Sequence, residues 1–227
     1  MLKNMFHPRH WFDSHMQPEM ELMDTFAKNI ETQVAQGIQD FHEKKVVDVV
    51  NPHEEEFANV FVEHHLGLDD QTWDLNEIFE AFFPNLQRRS AFITLFSFYE
   101  HELDSLCQRF NRAEKLTLSL KDVRGNGLER ATLFLEKVAQ LPVQRDSPHR
   151  MEIKNIQSIR NLFVHADGRV NTQRKAELAY INSCNDLSLN TRHEVMIGGN
   201  FLSHTLSIFK KHFQDIDAAI QAKYATQ

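Results

Sequence analysis

Ala91-Phe92-Ile93-Thr94-Leu95-Phe96-Ser97-Phe98-Tyr99-Glu100-His101-Glu102-Leu103-Asp104-Ser105-Leu106-Cys107-Gln108-Arg109-Phe110 is the stretch that decides the fold. Phe92, Phe96, Tyr99, Leu103, Leu106 and Phe110 recur at steps of four and three, which lays one apolar seam along a helix. Leu95 and Phe98 add apolar surface on another side, and between Ala91 and Tyr99 only Thr94 and Ser97 are polar. Such a segment is dry on more than one face. It predicts the central helix of a bundle, opened near Pro84, where proline suits a first turn, and running to about Glu114.

The flanking sequence has the same helical character. A helix is expected from about Pro18 to Lys45, with Leu22, Phe26, Ile30, Val34, Ile38 and Phe41 as its stripe. Residues 1–15 read as a loose arm. Asn51-Pro52 breaks the pattern, and residues 53–83 read as short helices, with Glu54-Glu55-Glu56 a solvated helix start and Asp74 a cap for Leu75–Phe82. Gly125-Asn126-Gly127 is a turn. Further helices are expected over Leu128–Leu141, His149–His165, Asn171–Asn182 and Asn200–Lys223, the last with Leu202, Leu206, Phe209, Phe213, Ile216 and Ile220 inward. Asp167-Gly168 suits a left-handed helix stop. Leu187–Leu189 and Glu194–Ile197 predict a small β-hairpin. The class is therefore all-α, an up-and-down helical bundle with a small hairpin near 187–197. Residues 1–80 form an arm and helical extension packing on the bundle, and residues 81–227 form the bundle itself.

Composition sets limits. The 227 residues are 41% hydrophobic, with 18 Phe and only 7 Gly and 6 Pro, enough for a large aromatic core with few breaks. The formal net charge of −7 argues against coating nucleic acid by charge alone, so any RNA contact must use a local basic patch. Cys107 and Cys184 imply no disulfide. No apolar run approaches the roughly 20 residues of a membrane span, and Met1–Pro18 has no signal-peptide core, which predicts a cytoplasmic protein.

The chemistry gathers at Arg160-Asn161-Leu162-Phe163-Val164-His165. Arginine binds phosphate through a planar fork, and histidine exchanges protons near neutral pH. Residues five apart on a straight helix lie about 140° apart and roughly 7.5 Å apart along the axis, so Arg160 and His165 are not neighbours. Two routes bring them together: unwinding of the helix end, or a second copy of the same helix end facing the first. Asn161 and His165 are four apart and share a face. Glu100 falls at the edge of the central seam, where a carboxylate needs a partner: either Arg160 or His165, which it would orient, or a purely structural cation. Arg145, Arg150, Lys154, Arg169, Arg174 and Lys175 flank the motif in sequence and can track a phosphate backbone, or simply be solvated. His64-His65 makes no metal site, because adjacent side chains diverge and no further ligand stands at a suitable spacing.

Ile153–Val170, with Arg160, Asn161 and His165 at its centre, resembles the signature of the HEPN superfamily, the higher eukaryotes and prokaryotes nucleotide-binding domain. Arg89–Leu103 resembles the long central helix of that family, and Gly125–Lys137 fits the same layout; the resemblance spans about residues 84–220. It implies a homodimer with the motif helices near the two-fold axis, and metal-independent endoribonuclease activity, without a cofactor, in toxin–antitoxin or phage-defence settings. By that resemblance Arg160 and His165 are the catalytic pair and Asn161 the polar partner, with Glu100, from its place at the seam edge, as a candidate orienting carboxylate. Lys154, Arg169 and Arg150 are the expected RNA contacts, and an antitoxin is a possible protein partner. Members regulated by nucleotide modification carry tyrosine two places after the histidine; here that residue is Asp167. The alternative is a non-catalytic helical module that binds RNA, a nucleotide or a protein.

Overall fold

The computed structural model describes residues 7–50, 60–143 and 146–225. Among these residues the chain is a helical bundle with two small antiparallel sheets. The helices are α1 (Gln17–Lys44), α2 (Phe83–Glu114), α3 (Gly127–Leu133), α4 (Pro148–Ala166), α5 (Lys175–Ser183) and α6 (Phe201–Ala225). A wider π-helical turn, Phe134–Val138, extends α3. No helix of the described residues is long and apolar enough to cross a membrane.

The seam quoted above is the middle of the molecule. Phe92, Phe96, Tyr99, Leu103, Leu106 and Phe110 are all buried, as are Leu202, Leu206, Phe209, Phe213, Ile216 and Ile220 of α6. The two rows meet ring on ring: Tyr99 stacks on Phe209 with centroids 4.2 Å apart, and Phe96 meets Phe209 edge-on at 5.9 Å. Helix α4 closes the other side, with Ile153, Ile156, Ile159, Leu162 and Phe163 inward. Both cysteines are free.

Helix α1 turns most of its expected stripe inward, with Val34 and Phe41 buried, Phe26 and Ile30 packed against the core and Ile38 half-buried. Its fully buried residues are Met20, Ala27, Val34 and Phe41, seven apart, while Leu22 is exposed. A seven-residue repeat is a coiled-coil-like contact row, and small Ala27 allows close approach. The arm is also not loose where it is described. Trp11 and Met16 are fully buried, Trp11 meeting Phe213 edge-on at 5.4 Å. His15 Nε2 lies 2.8 Å from the buried Glu102 carboxylate, and Gln221 donates to the Arg9 carbonyl. A short 3-10 turn (Pro8–His10) and a π-helical turn (Phe12–Met16) lead into α1.

Residues 53–83, expected to be short helices, contain the strands β2 (Val60–His65) and β3 (Leu68–Asp69), which join β1 (Val46–Val50), just after α1, in the order β1-β2-β3. Valine and phenylalanine favour the pleated conformation. The β2–β3 turn is Leu66-Gly67, both with positive φ (48° and 82°), the geometry of a two-residue hairpin loop. His65 anchors the sheet between Phe41 (5.3 Å) and Phe79 (4.6 Å). The expected helix after Asp74 does form, with Glu77 N–H donating to the Asp74 carboxylate, and passes through a π-helical turn (Glu77–Phe82) into α2. The Glu54–Glu56 helix start lies outside the described residues.

The second hairpin pairs β4 (Leu187–Leu189) with β5 (Val195–Ile197), as expected. Asn85 at the start of α2 acts as a surrogate strand residue: its amide donates to the Val195 carbonyl and its carbonyl accepts from Ile197 N–H. The chain leaving α4 joins the same edge, because Val195 N–H donates to Gly168 O and Val170 N–H to His193 O. The end of the motif helix is thereby fixed to α2.

Candidate functional site

Arg160 projects from the edge of the buried face of α4 toward α2. Its guanidinium carbon stands 5.6 Å from the Phe96 ring centroid, one terminal nitrogen donates to Asn161 Oδ1 at 3.0 Å, and the other reaches Glu100 Oε2 at 3.4 Å. The Arg160 and Glu100 side chains each retain 22% of their exposure. Nε is buried and has no hydrogen-bond partner among the described residues. Arginine carries five N–H donors, more than the two acceptors that Asn161 and Glu100 supply. Of the two partners the sequence allowed for Glu100, the structure selects Arg160. Asn161 holds the arginine too.

Glu100 is crowded from behind. Gly127, the first residue of α3, has φ +49°, and a Cβ there would lie 2.6 Å from Glu100 Oε1. The absence of a side chain at Gly127 lets the carboxylate sit between α3 and Arg160. The sequence marked Gly127 only as part of a turn; nothing local signals that its missing side chain makes room for a carboxylate on another helix.

His165 lies in the last turn of α4 and is exposed. The helix stays regular through Ala166, so unwinding does not bring His165 round to Arg160. The two remain about 140° apart in rotation. Asp167 and Gly168 are both left-handed (φ 51° and 78°), ending the helix where the sequence placed the stop. Arg89 of α2 clamps this end: it donates to the Asp167 carboxylate and the Phe163 carbonyl, and lies over the Phe163 ring at 5.1 Å. The Arg89 hydrogen bond, with its charge, holds the Asp167 carboxyl below the usual range. This clamp was not foreseen, since Arg89 and Asp167 are 78 residues apart and nothing local marks either.

The basic residues flanking the motif do not form one track. Arg150 is tied to the nearly buried Glu136 at 2.7 Å. Arg169 is 71% exposed, with Glu194 at 3.5 Å, and Glu194 also meets Arg192 at 3.4 Å. Arg174 pairs with Glu177. Lys154 is exposed on α4, about 16 Å along the helix from His165. Arg145 lies outside the described residues. Among those residues no three His, Cys, Asp or Glu side chains are grouped to hold a metal ion. His64 sits 3.5 Å from Asp48, while His65 is buried against Phe41 and Phe79, so the two diverge.

Comparison of the chain with family models, with curated proteins and with solved structures gave no match.

Proposed function

We propose that the chain is a metal-independent endoribonuclease of toxin or defence type, in which Arg160 and His165 act on the RNA backbone. The observation that carries this reading is the held but partly open Arg160 fork, fixed by Asn161, Glu100 and Phe96 one and a half helical turns before an exposed histidine. The ribose 2′-oxygen forms a bond to phosphorus, the bond from phosphorus to the 5′-oxygen breaks, and a proton leaves the first oxygen and reaches the second. Arg160 takes the growing phosphate charge, and His165 carries a proton at one of the two oxygens. The products are a 2′,3′-cyclic phosphate and a 5′-hydroxyl.

Because Arg160 and His165 diverge on one unbroken helix, the reading requires a homodimer in which the pair is completed across a two-fold axis. Such an interface should bury more than about 1,000 Å² in total. The test is incubation of purified protein with total RNA and a chelator. Cleavage with cyclic-phosphate ends, lost in His165→Ala without a change in thermal stability, supports the reading. Absence of cleavage, or full activity from a stable monomer, overturns it.

A second reading, a non-catalytic module that binds RNA, a nucleotide or a protein, draws on one observation: Arg150, Arg169 and Arg174 each have a carboxylate partner, which weakens the basic track a nuclease would use and, among those ligands, favours a protein. RNA binding unaffected by His165→Ala, with no cleavage by either protein, would select it.

A further inference from the structure

We propose that the open edge of β1 is a docking strand for an extended, cationic segment of another protein, which joins the sheet as a fourth strand. Among the described residues β1 pairs with β2 alone, so its outer edge offers unpaired backbone N–H and C=O groups. Edge strands are usually guarded by lysine, proline or a bulge. Here Val46, Val47 and Val49 are 57%, 49% and 40% exposed. Phe61, directly across from Val49, is 62% exposed, so Val47, Val49 and Phe61 make an apolar strip on one face beside the open edge. The platform itself is fixed, because His65 at its inner end is buried between Phe41 and Phe79.

Charge selects the occupant. Among the described residues from 45 to 65 the carboxylates are Asp48 and Glu63, and Lys45 is the one lysine or arginine. Lys45 is held by Glu63 at 2.9 Å, and the Asp48 side chain is 66% exposed in the middle of the strand, with His64 at 3.5 Å. Two copies paired edge to edge about the middle of β1 would bring two exposed Asp48 side chains together, and like charges on adjacent strands destabilise pairing. A segment alternating apolar residues with lysine or arginine meets both requirements: main-chain pairing plus the apolar strip gives affinity, and a cation opposite Asp48 sets the register.

The test uses the full chain and two short synthetic peptides, one alternating valine with lysine and one alternating valine with glutamate, followed by fluorescence anisotropy and amide hydrogen exchange. The lysine peptide should bind at least about tenfold more tightly than the glutamate peptide, lose affinity as salt is raised, and protect amides of residues 46–50. Asp48→Lys should reverse the preference, and Asp48→Asn should weaken the lysine peptide without favouring the other. Equal binding of the two peptides, no binding, or protection elsewhere overturns the proposal. So does self-association that protects residues 46–50 without peptide, which would make a second copy the occupant. These readouts are independent of RNA cleavage.

Discussion

Replacing Gly127 with alanine should damage the candidate site from outside it. The added methyl would stand 2.6 Å from Glu100 Oε1, about 0.8 Å inside an ordinary 3.4 Å contact, so the carboxylate must turn. Its 3.4 Å contact with Arg160 turns with it, leaving a guanidinium whose Nε already lacks a partner. A left-handed backbone costs a non-glycine residue about 1–2 kcal/mol. Losing a partly exposed ion pair adds up to about 1 kcal/mol. The expected total of about 1–3 kcal/mol lowers the melting temperature of a chain this size by roughly 2–12 °C. Thermal unfolding by circular dichroism measures it. The decisive comparison is a double-mutant cycle with Glu100→Ala, which removes the crowded carboxylate. In that background Gly127→Ala should cost only the backbone strain. If it costs the same with and without Glu100, crowding is not the cause and the glycine serves the turn alone. On the nuclease reading, Gly127→Ala should also lower cleavage by more than its unfolded fraction explains.

Two further outcomes follow from single residues. Tyr99 Oη and His212 Nδ1 are 2.8 Å apart in the core, and burial pushes His212 down to about 4, against opposition from Asp215 and with smaller help from Arg150 and His149. The unfolded chain therefore binds this proton first. The stability contribution is complete above about pH 6.5 and falls by up to about 3 kcal/mol as pH drops through 4. Urea unfolding between pH 7 and 4 should show that decline, and His212→Gln should flatten it; an unchanged slope refutes the assignment. Gly37 lies inside α1 with nothing among the described residues within 4 Å of a Cβ, so Gly37→Ala should stabilise by roughly 1 kcal/mol, seen as a melting temperature raised by about 2–4 °C. A lower melting temperature would mean that the glycine serves a contact beyond the described residues.

What could be read from the sequence divides along a physical line. The α2 and α6 rows were legible because each is long enough for helical period to dominate, and every residue assigned to them is buried. The β4–β5 hairpin was legible from two short apolar runs around Asn190, whose side chain indeed accepts the Arg192 and Glu194 N–H groups of the turn. Val46–Val50 was not, because five residues beside a long helix carry too little period to separate strand from helix, and β-branching had to decide. Trp11 was missed for a related reason: one large apolar residue in a polar segment has no period, and only its ring against Phe213 reveals it as core.

The candidate site divides in the same way. A carboxylate at the edge of a dry seam must find a cation, so the sequence called for a partner to Glu100 but left Arg160, His165 and a structural cation open, and the contact with Arg160 came only from the fold. The basic track rested on closeness in sequence, which says nothing of partners that arrive from elsewhere; Glu136 and Glu194 are those partners for Arg150 and Arg169. The five-residue step from Arg160 to His165 carried its own geometric warning, and the unbroken helix through Ala166 closes the escape by unwinding. Whatever the two residues do jointly has to be assembled by a surface that this chain presents outward, so the arrangement of two α4 ends, rather than the contents of one bundle, is where the nuclease reading stands or falls.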